Sequence, residues 1–154
     1  QPRSGIVWSL FSEELFSGVK GEGAFLNGRR LAVSKIDQAK DSLLVTGFPY
    51  NVRDIMASVM DRFSRCLMAS QGVRRLGSAA LDLCYVAAGR FEAFWEEHLH
   101  PWDTAAGHLI VTEAGGRVTD FDDQPFEPHM KSILASNGRI HTRMLDLLDL
   151  KGNE

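Results

Sequence analysis

A strand that runs directly into a helix start, over residues 94–107, is the feature that most constrains the fold of this chain. Phe94 and Trp95 favour a strand, because aromatic side chains pack well on a pleated surface. Pro101 suits the first position of a helix, where its missing N–H group would have no intrahelical acceptor. Asp103 then falls in the first helical turn, where the partial positive charge of the helix N-terminus stabilises a carboxylate.

Asp103 is the first candidate site residue. A carboxylate on a rigid element suits Mg²⁺, which takes oxygen ligands and usually combines one or two carboxylates with water and substrate phosphate. First-turn acids are common, however, and their more usual role is to support the helix start alone. Glu96, on the strand side of the junction, also has two interpretations, as a site residue or as a solvated surface acid.

The first 36 residues contain short strands and turns. Two strand-like runs, residues 6–11 and 15–20, are separated by a polar segment, which predicts a hairpin. Asn27 and Gly28 predict a second hairpin, because both positions of such a turn favour positive φ. We expect the unpaired first strand to present an exposed, apolar edge.

From residue 37 onwards, strand-like runs alternate with helical periodicity. Residues 34–42 are polar and mixed, which is typical of a linker between layers. The predicted strands cover residues 43–46, 72–76, 117–121 and 133–136. The predicted helices cover residues 53–68, residues 78–88 and a segment from Pro101 to a stop at Gly115. A last predicted helix buries Ile140, Met144, Leu147 and Leu148. This alternation predicts an α/β (α+β layered) domain with a sheet flanked by helices.

The helix predicted over residues 78–88 begins at a second candidate site. Ser78 is a natural N-cap and follows Gly77. The free backbone N–H groups of such a helix start can bind an anion or a hydroxyl oxygen. Most helix starts carry no ligand, so the pattern alone leaves the two interpretations open.

Two further patterns suggest ligands less strongly. Gly21 and Gly23 lack both the longer glycine pattern and the Lys-Ser/Thr ending of a phosphate-binding loop, and we interpret them as turn or bulge residues. His98 and His100 would point the same way on a strand and could bind zinc. No third ligand has a convincing spacing, although His108 is near in sequence.

Composition excludes several classes of protein. With 154 residues and 44% hydrophobic content, the chain can bury one core. Its formal net charge of -3 gives no large basic surface for nucleic acid. No apolar run approaches the roughly 20 residues that span a bilayer. Cys66 and Cys84 form neither a disulfide framework nor a metal spacing, which favours a reducing, cytoplasmic environment.

The segment around Asp103 resembles the C-terminal signature of the inositol monophosphatase family. The resemblance rests on Trp102-Asp103-x-Ala105-Ala106-Gly107, on Glu113-Ala114-Gly115-Gly116, and on the preceding block Arg75-Leu76-Gly77-Ser78-Ala79-Ala80-Leu81-Asp82-Leu83-Cys84. It extends from about residue 5 to about residue 148. It implies the C-terminal part of the αβαβα sandwich of sugar phosphatases, with the last strands of the N-terminal sheet in residues 1–36 and a C-terminal α/β layer in residues 37–150.

The resemblance also implies roles for particular residues. Asp103 would bind Mg²⁺ on the leaving-group side, and Glu96 would accept hydrogen bonds from substrate hydroxyls. The substrate would lie against the turn formed by Gly77, Ser78 and Ala79. The implied activity is Mg²⁺-dependent hydrolysis of a small phosphate monoester, first of all inositol monophosphate, by a homodimer. Fructose bisphosphatases and histidinol phosphatases share this fold and metal chemistry, so the substrate stays open.

One part of the family pattern does not occur in these residues. The family's other metal ligands are a glutamate and an Asp-Pro-x-Asp-Gly-Thr motif, and the chain contains no such motif. One carboxylate is too little to hold and align a pair of metal ions, so we expect the isolated chain to be inactive. Either a preceding half completes an enzyme, or the chain is a non-catalytic binding or assembly domain.

Overall fold

The computed structural model describes residues 2–150, which form two β-sheets and four α-helices. The first sheet contains β1 (Ser4–Ser9), β2 (Glu14–Val19), β3 (Gly23–Leu26) and β4 (Arg29–Arg30). The second contains β5 (Leu43–Thr46), β6 (Gly72–Arg74), β7 (Ala93–Glu97), β8 (Arg117–Thr119) and β9 (Ser132–Ser136). The helices are α1 (Met56–Ala69), α2 (Ala79–Ala87), α3 (Pro101–Glu113) and α4 (His141–Leu148), and a 3₁₀ turn covers Ala39–Asp41.

The first sheet is antiparallel, in the order β1-β2-β3-β4, and both predicted hairpins are confirmed. Asn27 and Gly28 join β3 to β4 with φ angles of 48° and 78°, the left-handed conformation that a tight hairpin turn needs. Strand β1 is at the edge of the sheet, where Ile6 and Trp8 are 66% and 63% exposed. The predicted apolar edge is therefore present.

The second sheet is mixed, in the order β6-β5-β7-β9-β8. Strand β5 runs parallel to both β6 and β7, and β9 runs antiparallel to both β7 and β8. The carboxyl ends of β5 and β7 therefore lie side by side at one edge of the sheet. In open α/β sheets this edge is where ligands bind.

Alternate side chains of the second sheet are buried on opposite faces, as the strand period of two requires. Val45 and Phe94 belong to a cluster with Ile110 of α3. Phe16 of the first sheet completes the same cluster, so α2 and α3 lie between the sheets. Leu44 faces the other side, in a cluster with residues of α1 and α4. This layering confirms the predicted α/β class with a mixed sheet flanked by helices.

Small residues let α3 approach its neighbours closely. A Cβ atom at Gly107 would lie 2.6 Å from the Cβ of Leu83 on α2. A Cβ atom at Gly5 of β1 would lie 3.1 Å from the Cα of Ala106. Of the helices in the described part of the chain, none is long and apolar enough to cross a membrane.

Several predicted boundaries are wrong by two or three residues, including both ends of β1, which covers Ser4–Ser9 rather than residues 6–11. Helix α1 begins at Met56 rather than at residue 53, because residues 50–55 form successive turns closed by bonds such as Val52 N–H to Pro49 C=O at 3.0 Å. Strand β8 ends at Thr119 rather than residue 121, because the Asp120 carboxylate accepts two following backbone N–H groups at 2.9 and 2.8 Å and starts a turn. Strand β6 ends at residue 74 rather than 76.

Candidate active site

A polar cleft of about 270 Å³ opens at the carboxyl ends of β5 and β7. Three segments form its walls: the loop after β5, the N-terminal part of α2, and the junction between β7 and α3. The lining residues are Gly47, Phe48, Pro49, Tyr50, Arg75, Gly77, Ser78, Ala79, Ala80, Asp82, Glu96, His98, Leu99, His100, Trp102 and Asp103. The cleft thus contains all five residues that the sequence analysis places in a site.

The turn before α2 forms one wall of the cleft. Gly77 has a φ of 95°, a conformation that side chains other than glycine rarely adopt. Ser78 is the N-cap, as predicted, and its Oγ accepts a hydrogen bond from the Leu81 N–H at 3.5 Å. Helix geometry leaves the backbone N–H groups of the first turn, such as that of Ala79, without intrahelical acceptors. This wall therefore presents hydrogen-bond donors to the cleft.

Asp103 occupies the first turn of α3 and also lines the cleft. Its Oδ2 accepts a hydrogen bond from the backbone N–H of His100 at 3.0 Å. Asp103 therefore does support the helix start, which was the alternative to metal binding. The two roles are compatible, because the cap uses one carboxylate oxygen and the half-buried side chain also lines the cleft.

Glu96 lies near the end of β7 and lines the cleft. Its side chain is buried, so the interpretation as a solvated surface acid is wrong. Burial first, and then the negative charges of Asp82 and Asp103, raise the pKa of its carboxyl to about 7, although the guanidinium of Arg75 opposes the shift. The carboxylate lies directly against Gly47, where a Cβ atom would overlap it.

Asp82 is the residue that the sequence analysis missed. It lies on α2, is 1% exposed, and neither carboxyl oxygen has a hydrogen-bond partner among residues 2–150. Burial raises the pKa of this carboxyl to about 7, against the opposing charge of Arg75. Its neighbours Leu81, Leu83 and Cys84 are apolar, and an acid within such a run was the available signal.

The described residues include one candidate metal ligand, Asp103. Across residues 2–150, no three His, Cys, Asp or Glu side chains lie together so that they could hold a metal ion. Asp103 provides an oxygen ligand of the type that Mg²⁺ prefers, at the wall of a cleft large enough for a phosphorylated substrate. The donor set therefore fits a Mg²⁺ ion through one protein ligand.

The histidine and glycine patterns have structural explanations. Strand β7 ends at Glu97, and His98 has a φ of 58°, so His98 and His100 are not two apart on a strand as the zinc hypothesis assumes. His108 packs edge-on against Phe126, with the ring centroids 5.3 Å apart. The zinc hypothesis is therefore unsupported.

The N–H groups of Gly21 and Gly23 bind a carboxylate of the protein itself. They donate to the two oxygens of Glu113, the last residue of α3, at 2.9 and 3.0 Å. The carboxylate thus occupies the donors that a phosphate-binding loop would need to keep free. This contact supports the interpretation of the two glycines as turn residues.

Fold and cleft together define a layered α/β protein with an acidic, small-molecule-sized site at the carboxyl ends of parallel strands. A family model described as the inositol monophosphatase family matches residues 1–151, and the chain belongs to that family. The predicted family membership is confirmed.

Several relatives show the extent of this similarity. The chain is 43% identical over 147 residues to an inositol-1-monophosphatase of Synechocystis, covering 96% of the chain and 51% of the relative. It is 50% identical over 142 residues to the Nus factor SuhB of Pseudomonas aeruginosa, covering 91% and 52%. The solved inositol monophosphatase of Anabaena superposes with a TM-score of 0.92 at 43% identity, covering 96% of this chain and 58% of that one. The chain therefore spans about half the length of these relatives.

Proposed function

We propose that the protein containing these residues is a Mg²⁺-dependent phosphoric monoester hydrolase that acts on inositol monophosphate. The observation that carries the proposal is the convergence of Glu96, Asp103 and the turn at Gly77 in one cleft. These residues come from three separate elements of the fold. The family membership of the chain supports the same activity.

Each wall of the cleft has a distinct role in this proposal. The chemistry that a Mg²⁺ ion would supply when bound is neutralisation of charge on the phosphoryl group and activation of a water molecule. Asp103 would hold the ion through the carboxylate oxygen that does not cap α3. Glu96 would accept a hydrogen bond from a substrate hydroxyl, and the donors of Gly77, Ser78 and Ala79 would orient the substrate against the start of α2. None of these residues acts as a covalent nucleophile.

The test is a phosphatase assay of the full-length protein with Mg²⁺ and inositol monophosphate. We expect Asp103→Asn to lower kcat/KM by about 100-fold or more and to weaken Mg²⁺ binding measured by calorimetry. Asp37→Asn, in an exposed loop, is the matched control and should behave like the wild type. If Asp103→Asn left both activity and Mg²⁺ affinity unchanged, the residue would be only a helix cap.

The isolated 154-residue chain should have no appreciable phosphatase activity. It supplies one candidate metal ligand, and alignment of a metal pair needs more carboxylates. The same assay on this chain tests the point, and turnover near that of the full-length protein would refute it.

The substrate range should extend beyond inositol phosphate. A staphylococcal IMPase-II, 28% identical with a TM-score of 0.81, has been solved with inositol monophosphate and with 2'AMP bound. The open, polar cleft of this chain supports a similarly broad set of small phosphate monoesters, including the sugar phosphates of the related phosphatases.

We also propose that the protein is a cytoplasmic homodimer. It should bind neither nucleic acid nor membranes, since the chain's net charge of -3 disfavours both anionic partners.

A second candidate function is that of a Nus factor. The 50% identity to the Pseudomonas aeruginosa Nus factor SuhB supports it. This role would make the chain part of a binding or assembly protein, with or without phosphatase activity. The test uses a bacterial strain that lacks its own SuhB and asks whether the full-length gene carrying Asp103→Asn restores the missing function. Replacement without phosphatase activity would support this function, and failure of the wild-type gene would exclude it.

A further inference from the structure

We infer that Asp82 contacts the substrate directly, by accepting a hydrogen bond from a hydroxyl next to the one that Glu96 binds. The inference deepens the proposed function and rests on it. It assigns to the cleft a preference for phosphate monoesters that carry two neighbouring hydroxyls.

The first argument is the state of the Asp82 side chain. It is 1% exposed and lines the cleft, and within the described part of the chain both of its oxygens lack a hydrogen-bond partner. Buried polar groups in folded proteins are nearly always hydrogen-bonded, because an unpaired buried carboxyl loses its hydration without compensation. A carboxyl left in this state at the wall of a cleft is completed by a donor that enters the cleft.

The second argument is position on the helix. Asp82 follows the N-cap Ser78 by four residues, so the two residues lie on the same face of α2, one turn apart. A substrate held by the donors at Ser78 and Ala79 is therefore within one turn of the Asp82 carboxyl. Its nearest charged neighbour in sequence, Arg75, acts on Asp82 through its charge and forms no hydrogen bond with it.

The third argument is the pairing with Glu96. Asp82 and Glu96 come from α2 and β7 and line the same cleft, and the Asp82 charge contributes to the raised pKa of the Glu96 carboxyl. Two ionised carboxyls in one cleft accept hydrogen bonds and repel an anion. The phosphate group is thereby directed towards Asp103 and the α2 start, and a pair of hydroxyls towards Glu96 and Asp82.

The test compares full-length wild type with Asp82→Asn on two substrates, inositol 1-phosphate and p-nitrophenyl phosphate, which has no hydroxyl. We expect the ratio of kcat/KM for the first to that for the second to fall by roughly tenfold to 100-fold in Asp82→Asn. Asp37→Asn should leave the ratio as in the wild type. An unchanged ratio in Asp82→Asn would overturn the inference, because a purely structural role would affect both substrates alike.

Inositol phosphates that each lack one hydroxyl give an independent readout. For the analogue without the hydroxyl that Asp82 binds, wild type and Asp82→Asn should have equal kcat/KM, and for the other analogues they should differ. A constant difference across all analogues would mean that an ordered water, and no substrate hydroxyl, satisfies Asp82.

The inference and the proposed function fail in different ways. If the wild type hydrolyses neither substrate with Mg²⁺, the proposed function is wrong. In that event, calorimetry of myo-inositol binding to the wild type and to Asp82→Asn still decides the inference. Weaker binding by Asp82→Asn would support it, and equal binding or none would refute it.

Discussion

The carboxylate of Glu96 lies directly against Gly47, so that even one added methyl group would overlap it. The loop after β5 thereby sets where the Glu96 carboxylate can lie in the cleft. The contact gives the first prediction. Gly47→Ala should displace the Glu96 carboxylate and lower kcat/KM for inositol 1-phosphate by about tenfold or more, because small displacements of a binding group reduce rates strongly.

The matched control is Gly72→Ala in strand β6. A Cβ atom there would meet only the flexible end of Arg74 at 3.2 Å and the Leu43 side chain at 3.9 Å. Its kcat/KM should stay within about twofold of the wild type. Equal losses in the two variants would mean that Gly47 matters for folding rather than for the position of Glu96.

Asp82 should destabilise the fold above neutral pH. The pKa of its carboxyl is about 7 in the folded chain and 3.8 in the unfolded chain. The stabilisation that comes from protonated Asp82 is therefore complete below pH 4 and is lost as the pH rises through 7. Asp82→Asn should therefore be more stable than the wild type at pH 8, by about 2 kcal/mol, and no more stable near pH 4. Urea unfolding at both pH values measures the difference, and a difference independent of pH would contradict the prediction.

A stabilising substitution at Asp82 would also bear on function. Residues that lower stability are retained where a site needs them. The expected combination in Asp82→Asn is a gain in stability and a loss of discrimination between substrates.

The candidate site was predictable from sequence where short-range rules apply. Ser78 and Asp103 follow from helix capping, because each interacts with backbone groups three residues away. The burial of Glu96 was not predictable, since it depends on which face of β7 the loop after β5 covers. The burial of Asp82 depends on the packing of α2 against β7. No short-range sequence rule predicts that these two segments lie in contact.

The same limit applies to the fold. Alternating strands and helices predicted the layers, and Asn27 predicted its hairpin. The ends of α1 and β8 were wrong, because local turns at residues 50–55 and at Asp120 replaced the regular pattern. Boundaries of this kind depend on competition between a side chain and the backbone for the same N–H groups.

His141 predicts a loss of stability in acid. Its side chain is fully buried between the Thr119 and Ser136 hydroxyls, at 2.9 and 2.8 Å, and burial lowers the pKa of its imidazole to about 4. Because the unfolded state takes up a proton near pH 6.5 and the folded state does not, stability falls from pH 6.5 towards pH 4.

The loss should reach about 3 kcal/mol at pH 4 and should be absent from the pH profile of His141→Gln. Proton NMR should show His141 titrating well below pH 6. A midpoint near 6.5 would contradict the prediction and would remove the reason for the acid sensitivity.

The contact between α2 and α3 predicts a cost for Gly107→Ala. The added methyl group would overlap the Leu83 side chain, at 2.6 Å from its Cβ atom, and overpacking of this kind costs about 1–3 kcal/mol. Alanine has a higher helix propensity than glycine, which offsets up to about 1 kcal/mol of this cost. We therefore expect Gly107→Ala to lower the free energy of unfolding by about 1–2 kcal/mol.

A double-mutant cycle with Leu83→Ala tests the cause. The two substitutions should be less harmful together than the sum of their separate effects, because Leu83→Ala removes the Cδ1 and Cγ atoms that lie 2.7 and 3.2 Å from the added methyl group. The relief should be partial, since alanine keeps the Cβ atom at 2.6 Å. Strict additivity would mean that the loss does not arise from this contact.

The apolar edge of the first sheet predicts self-association of the isolated chain. Ile6 and Trp8 of β1 are more than half exposed on a strand with an unpaired edge. Trp8→Lys should reduce association measured by light scattering, since a charge on an edge strand opposes strand pairing. Met68→Lys, at a residue of α1 that is 85% exposed, is the control and should leave association unchanged.

Helix α3 connects the candidate metal ligand to the distant hairpin. Asp103 lies in its first turn, and about 15 Å further along the axis Glu113 holds the backbone of Gly21 and Gly23. A rigid rod anchored at its far end has little freedom to slide or rotate at its near end. The position of the Asp103 carboxylate in the cleft therefore depends on a turn in the first sheet. A substitution of Glu113 would shift Asp103 even though Glu113 does not line the cleft.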